Sequence, residues 1–205
     1  MDFLHFKEQL KSFGTFSLGD IRMVENTFHR RRLNEWQDKG YIKKIVRGHY
    51  IFSDVGLSEP LLYKIANSIY APSYVTCETA LGYYGLIPES VYGIVSASMR
   101  KTTRFSTFAG RFSYHALKRQ AFFGYAIVER NGVRFKIAEI EKAVVDYLYL
   151  HAGLKRPDDF ESIRFNGDVF RAKIDETKLE SLCRRIDMKA LTNRANGLLR
   201  YMRDA

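Results

Sequence analysis

The first 52 residues contain three short helical segments followed directly by two β-rich runs. Ser17 is placed to cap the second helix and Asn26 to cap the third, which Gly40 ends. Arg47-Gly48 separates the two β-rich runs, which predicts a hairpin. The predicted helices are residues 2–12, 18–24 and 27–39, and the predicted strands are residues 41–46 and 49–52. This order of elements leaves few compact arrangements for the segment.

Three helices and a hairpin in this order are typical of a winged helix-turn-helix, whose recognition helix enters the major groove of duplex DNA. We therefore predict a DNA-binding domain over residues 1–56, with its boundary at Ser53-Asp54-Val55-Gly56. The alternative is a small α/β fragment with no such role.

Residues 57–205 carry a different pattern, which predicts a second domain. Asn131-Gly132 separates two β-rich runs, and Asn-Gly tolerates the positive φ angles of a tight hairpin turn. Further helices are predicted over residues 59–70, 139–150, 178–186 and 189–203, together with one that Thr76 caps and Gly85 ends. Further β-structure is predicted over residues 92–99 and 111–117. The predicted fold class is α+β: a winged helix-turn-helix followed by a mixed α/β domain with a mostly antiparallel sheet and C-terminal helices.

Positive charge is concentrated in the segment predicted to meet DNA. The chain has a net charge of +10. Seven basic residues and two acidic ones lie between Asn26 and Tyr50, so this segment carries +5, half of the total. Such an excess favours a polyanionic partner, although it also serves solubility.

A helical wheel separates the third helix into two sides. Leu33 and Trp36 fall on one side, and the basic and amide residues of the first turns fall on the other. Arg bonds guanine and Asn bonds adenine through pairs of hydrogen bonds. The candidate DNA-binding residues are Thr27, Arg30, Arg31 and Asn34 on the helix, and Lys43, Lys44 and Arg47 on the hairpin.

A second basic stretch runs from Arg100 to Arg119 without an acidic residue, and aromatic residues interleave with it. This composition favours nucleic-acid contact, with Arg100, Lys101 and Arg104 as a secondary basic surface. It is also typical of a sheet with an aromatic inner face and a solvated outer face, and we slightly favour that interpretation.

An enzyme is the alternative class of function. Glu139, Glu141 and Lys142 follow a predicted strand, as carboxylates and a lysine do in Mg²⁺-dependent nucleases. Acidic residues are also common in the first turn of a helix, and we favour that interpretation. We expect no enzyme activity, metal or cofactor. The chain has no membrane span or signal peptide, and its two cysteines are far apart, so we expect a cytoplasmic protein.

The middle of the chain resembles the abortive-infection antitoxin family (AbiEi type) over roughly residues 57–150. The resemblance rests on these segments in order: Pro72-Ser73-Tyr74-Val75, Ala80-Leu81, Gly85-Leu86-Ile87-Pro88-Glu89, Thr102-Thr103-Arg104-Phe105, Phe112-Ser113-Tyr114, Phe122-Phe123-Gly124-Tyr125, and Ala138 through Glu141-Lys142-Ala143 to Asp146.

The resemblance implies a repressor that binds inverted repeats in its own promoter through an N-terminal winged helix. It also implies an antitoxin that counters a nucleotidyltransferase-like toxin without a stable complex. It assigns no catalytic role to Glu141 or Lys142. A third hypothesis is a toxin-binding interaction module whose winged helix has lost its DNA-binding function.

Overall fold

The computed structural model describes residues 2–88 and 93–204 and shows an α+β chain. Its helices are α1 Phe3–Leu10, α2 Leu18–Val24, α3 Arg31–Asp38, α4 Glu59–Ile69, α5 Cys77–Tyr83, α6 Ile140–Leu150, α7 Pro157–Glu161, α8 Gly167–Lys173, α9 Glu176–Ile186 and α10 Lys189–Asp204. Its strands are β1 Phe16–Ser17, β2 Ile42–Val46, β3 His49–Phe52, β4 Ser73–Val75, β5 Ile94–Ser98, β6 Thr103–Thr107, β7 Gly110–Ala116, β8 Tyr125–Arg130 and β9 Val133–Ala138. Glu89 of the family resemblance and Tyr92 of a predicted strand lie outside the described residues.

The N-terminal segment runs α1–β1–α2–α3–β2–β3 and forms a three-stranded sheet of order β1-β3-β2. Ser17 caps α2 as predicted. Its hydroxyl accepts from the backbone N–H of Gly19 and of Asp20, and the Asp20 carboxylate accepts from the Ser17 N–H at 2.6 Å. This reciprocal capping satisfies N–H groups that would otherwise lack a partner.

Residues 53–204 are built around a six-stranded mixed sheet of order β6-β7-β5-β4-β9-β8. The pairs β4-β9 and β5-β7 are parallel, and the other three are antiparallel. The predicted hairpin at Asn131-Gly132 joins β8 to β9, and both turn residues have positive φ. The helices α9 and α10 pack against α6 and bury apolar side chains that include Leu179, Cys183 and Leu198.

The hydrophobic core forms two clusters. The smaller contains the apolar faces of α1 to α3 and one face of the N-terminal sheet, including Phe6, Trp36 and Phe52. The larger contains the six-stranded sheet and its helices. Ile45 and Ile51 belong to the larger cluster, so the hairpin is covered on both faces. The second face of β2 and β3 therefore fixes the N-terminal segment against the rest of the chain.

Candidate nucleic-acid interface

Helix α3 has one buried side and one exposed side. Trp36 is 6% exposed, and its ring lies 4.5 Å from that of Phe6 on α1, centroid to centroid. Arg31 and Asn34 are exposed on the other side, and the Arg31 side chain is 89% accessible. Burial of the indole and of Leu33 thus turns the Arg31 guanidinium and the Asn34 amide outward. Both are groups that can bond base edges.

The helix is shorter than the sequence predicted. It begins at Arg31, so Thr27 and Arg30 precede it, although both are exposed. The backbone N–H of Phe28 donates to the Glu25 carbonyl at 3.1 Å, which makes a turn instead of a first helical turn. The prediction that Asn26 caps α3 was therefore wrong, because α3 begins at Arg31 and its N-cap position is Arg30.

Arg31 has a carboxylate neighbour on its own helix. Its Nε lies 3.4 Å from Oε1 of Glu35, one turn further along α3. An exposed pair of this spacing contributes only about 0.3–0.5 kcal/mol. The guanidinium can therefore exchange this carboxylate for a nucleic acid at little cost.

The hairpin carries Arg47 at its tip. Val46 pairs with His49, so Arg47-Gly48 is a two-residue turn, and Gly48 adopts φ +86°. Arg47 is exposed. The backbone N–H of Leu18 donates to the Gly48 carbonyl at 3.2 Å, which ties the turn to the start of α2. The tip is thus held beside the helices while its guanidinium faces solvent.

Lys43 and Lys44 are exposed on opposite faces of the edge strand β2. Lys44 pairs in register with Tyr50, on the face that covers the helices. Lys43 pairs with Ile51, on the face that packs against the rest of the chain, and its ammonium lies 5.7 Å from the ring centroid of Phe108. The two lysines therefore lie on different faces of the hairpin and do not form one binding surface.

The second basic stretch forms an exposed strand pair, β6 and β7, with Phe112 and Tyr114 buried beneath it. Arg100, Lys101 and Arg104 are all exposed, but they are held differently. The Arg100 guanidinium lies 4.1 Å from the Tyr70 ring centroid, and the Lys101 carbonyl accepts from the Tyr70 hydroxyl. Phe105 contacts Tyr70, so the neighbouring Arg104 lies on the opposite face of β6. Arg100 and Lys101 therefore lie beside Tyr70, and Arg104 does not share a surface with them.

The structure does not bring Glu139, Glu141 and Lys142 together. Lys178 of α9 bridges both carboxylates at 2.9 Å, and these hydrogen bonds raise its pKa well above the ordinary value. Lys142 is fully buried and contacts Asp146 instead. The two carboxylates and this lysine therefore lack the shared solvent-facing position that a metal-dependent nuclease needs.

Lys142 belongs to a buried polar network that sequence analysis missed. Its ammonium bonds Asp146 and the Tyr74 hydroxyl, and Asp146 also accepts at 2.8 Å from both Tyr74 and Thr76. Burial raises the pKa of the Asp146 carboxyl, while Lys142 and the hydroxyl donors oppose that rise. The i,i+4 spacing of Lys142 and Asp146 signals the ion pair, but its burial depends on β4, far away in sequence. The Thr76 hydroxyl bonds Asp146 and does not cap α5, contrary to its predicted role.

Within the described residues, no three histidine, cysteine or acidic side chains are grouped so that they could hold a metal ion. No helix in residues 2–88 or 93–204 has the length and apolar character needed to cross a bilayer.

Comparison with solved structures finds a protein of similar fold. The crystal structure of the RV2827C protein from Mycobacterium tuberculosis is similar with a TM-score of 0.50 at 14% identity, over 96% of this chain and 79% of that chain. At this identity the similarity concerns the fold alone. No family model matches the sequence, and no curated protein matches it.

Proposed function

We propose that the protein binds duplex DNA sequence-specifically through its N-terminal segment, which we interpret as a winged helix-turn-helix. The observation that carries this proposal is the exposed flank of α3, with Arg31 and Asn34 outward and Trp36 inward, beside a hairpin tip bearing Arg47. The element order and the β1-β3-β2 sheet support it. In such domains this helix contacts base edges and the hairpin contacts the adjacent backbone.

We propose that the biological role is repression of its own promoter in the cytoplasm, as the antitoxin of a type IV toxin–antitoxin operon. The family resemblance over residues 57–150 supports this role. The functional partner is then a nucleotidyltransferase-like toxin, countered without a stable complex. Co-expression should restore the growth of cells that express the toxic nucleotidyltransferase of the same operon. A neighbouring gene that encodes another class of protein would contradict the antitoxin role.

Fluorescence anisotropy on the promoter duplex and on a scrambled duplex tests the DNA-binding proposal. We expect Arg31→Ala and Asn34→Ala to reduce the preference for the promoter by about 5- to 150-fold, which corresponds to about 1–3 kcal/mol for each base contact. Arg47→Ala should weaken binding to both duplexes alike and lower the salt dependence by about one phosphate contact. Lys43→Ala should have less effect, because its ammonium lies over Phe108.

Arg200→Ala is the matched control, because Arg200 is an exposed arginine on α10 and the change in charge is the same. Equal affinity for the promoter and the scrambled duplex in the unaltered protein would refute sequence-specific binding.

A further inference from the structure

An open cavity of about 370 Å³ lies on the α5 side of the six-stranded sheet, near its β6 edge. Side chains of β6 and β7 form its floor, and Glu78 of α5 lies on its wall. Its volume falls within the range of small-molecule sites, about 300–1,000 Å³. The candidate interface on α3 and the hairpin contributes no residue to this lining, so the cavity is a separate site.

Strand register places two arginines and two serines on the cavity floor. Arg104 lies opposite Ser113, and Ser106 lies opposite Arg111. Alternate residues of a strand point to the same face, so these four side chains share the face that lines the cavity. The two arginines occupy diagonal positions on neighbouring strands, within reach of one group bound between them.

The floor has an excess of positive charge. Within residues 2–88 and 93–204, neither Arg104 nor Arg111 has a carboxylate at ion-pair distance, and both are exposed. Guanidinium groups match the oxygens of a phosphate in pairs, and serine hydroxyls donate to such oxygens as well. The floor therefore provides donors for a phosphate group.

The wall provides an acceptor, the Glu78 carboxylate, and His151 adjoins it outside the lining residues. Nε2 of His151 lies 3.7 Å from Oε1 of Glu78, and the imidazole stacks on Tyr147. Nδ1 of His151 lies 2.8 Å from the Tyr147 carbonyl, so Nδ1 carries the proton in the neutral ring and Nε2 is an acceptor. His151 therefore places no donor against Glu78, and the carboxylate favours a ligand with hydroxyl donors. The Glu78 carboxylate opposes a second phosphate nearby, and a nucleic-acid backbone would bring one.

We propose that this cavity binds a sugar phosphate, with the phosphate between Arg104 and Arg111 and the sugar hydroxyls toward Glu78. Ser106 and Ser113 donate to the remaining phosphate oxygens. This site goes beyond the proposed function, because it gives the chain a small-molecule ligand as well as a nucleic acid.

Isothermal titration calorimetry on the full chain tests this site with inorganic phosphate, ribose 5-phosphate and ribose at constant ionic strength. We expect saturable binding of both phosphates and none of ribose. Arg104→Ala and Arg111→Ala should each weaken phosphate binding by about tenfold or more, the loss expected for a charged hydrogen bond. Arg134→Ala is the matched control, since β9 lies near the other end of the sheet. Phosphate binding that is absent, or that is equal in Arg104→Ala and the control, would overturn the proposal.

The sugar half of the proposal has its own test. Ribose 5-phosphate should bind more tightly than inorganic phosphate, and Glu78→Gln should abolish that advantage while it preserves or strengthens inorganic phosphate binding. Equal affinity for the two ligands in the unaltered protein would overturn the sugar assignment.

A competition experiment distinguishes this site from the DNA interface. Saturating ribose 5-phosphate should leave the promoter duplex bound at constant ionic strength. Release of the duplex would assign Arg104 and Arg111 to DNA contact and refute the small-molecule site. Neither binding test uses the α3 variants, so failure of the DNA-binding proposal would leave this result unaffected.

Discussion

Lys142 and Asp146 are neighbours on one helical face, yet their environment is made by residues almost seventy positions earlier. Tyr74 and Thr76 supply the hydroxyls that complete the coordination of the Asp146 carboxylate. Tyr74, Lys142 and Asp146 all lie in segments that carry the family resemblance, so these matched residues maintain the interior of the chain. A buried ion pair is tolerated only when its remaining polar atoms find partners.

Removal of one member of this pair should be costly. We expect Asp146→Asn to lower the free energy of unfolding by about 3–5 kcal/mol, because the Lys142 ammonium stays buried without its counter-charge. Urea denaturation followed by circular dichroism measures this change. Glu35→Gln removes an exposed pair of the same spacing and should cost less than about 0.5 kcal/mol. Similar losses of unfolding free energy in the two variants would show that the buried ion pair contributes no more to stability than the exposed one.

Turns and caps explain which elements the sequence predicted well. Helix α2 begins where Ser17 caps it, and Asn131-Gly132 forms the predicted hairpin, because these signals act between residues close in sequence. Strand β1 was missed, since two residues carry no periodicity and β1 exists only by pairing with β3. Helix α3 was predicted four residues too long at its start, because residues 27–30 contain no glycine or proline to mark a turn.

Two glycines with nearly equal φ allow packing to be separated from backbone strain. Gly132 has φ +72° and open space where a Cβ would lie, whereas a Cβ on Gly124, at φ +71°, would lie 3.0 Å from Lys142 Cγ. Gly132→Ala should cost about 1–2 kcal/mol from the left-handed backbone alone. Gly124→Ala should cost about 1–3 kcal/mol more, because Lys142 is fully buried and cannot move away. Equal losses in chemical denaturation would contradict this account of Gly124.

The junction between the N-terminal segment and α4 contains a half-buried histidine. His49 lines a cavity of about 220 Å³ with Asp20 of α2 and Ser68 of α4. In the described part of the chain, its Nδ1 is buried without a hydrogen-bond partner. Burial lowers the pKa of His49, and the Asp20 carboxylate opposes this only in part. The folded state therefore favours the neutral form of the His49 imidazole over the protonated form.

Stability should therefore decrease in mild acid. Because the folded state binds the proton less readily than the unfolded chain, the free energy of unfolding should decrease as the pH falls below about 6.5. Burial also lowers the pKa of His115, so it should contribute in the same direction. Thermal unfolding from pH 8 to 5 measures the effect, and His49→Gln should reduce it. The same substitution at His5, which is exposed, is the control, and an equal reduction there would contradict the role of His49.

The amino-acid sequence by itself determined the local elements and the outward flank of α3, because helical periodicity, turn residues and the position of Trp36 act over a few residues. The tertiary structure decided which charges share a surface. It directed Lys43 toward Phe108, buried Lys142 beside Tyr74, and separated Arg104 from Arg100. Strand order and sheet packing join residues far apart in the chain, and no local pattern encodes those neighbours.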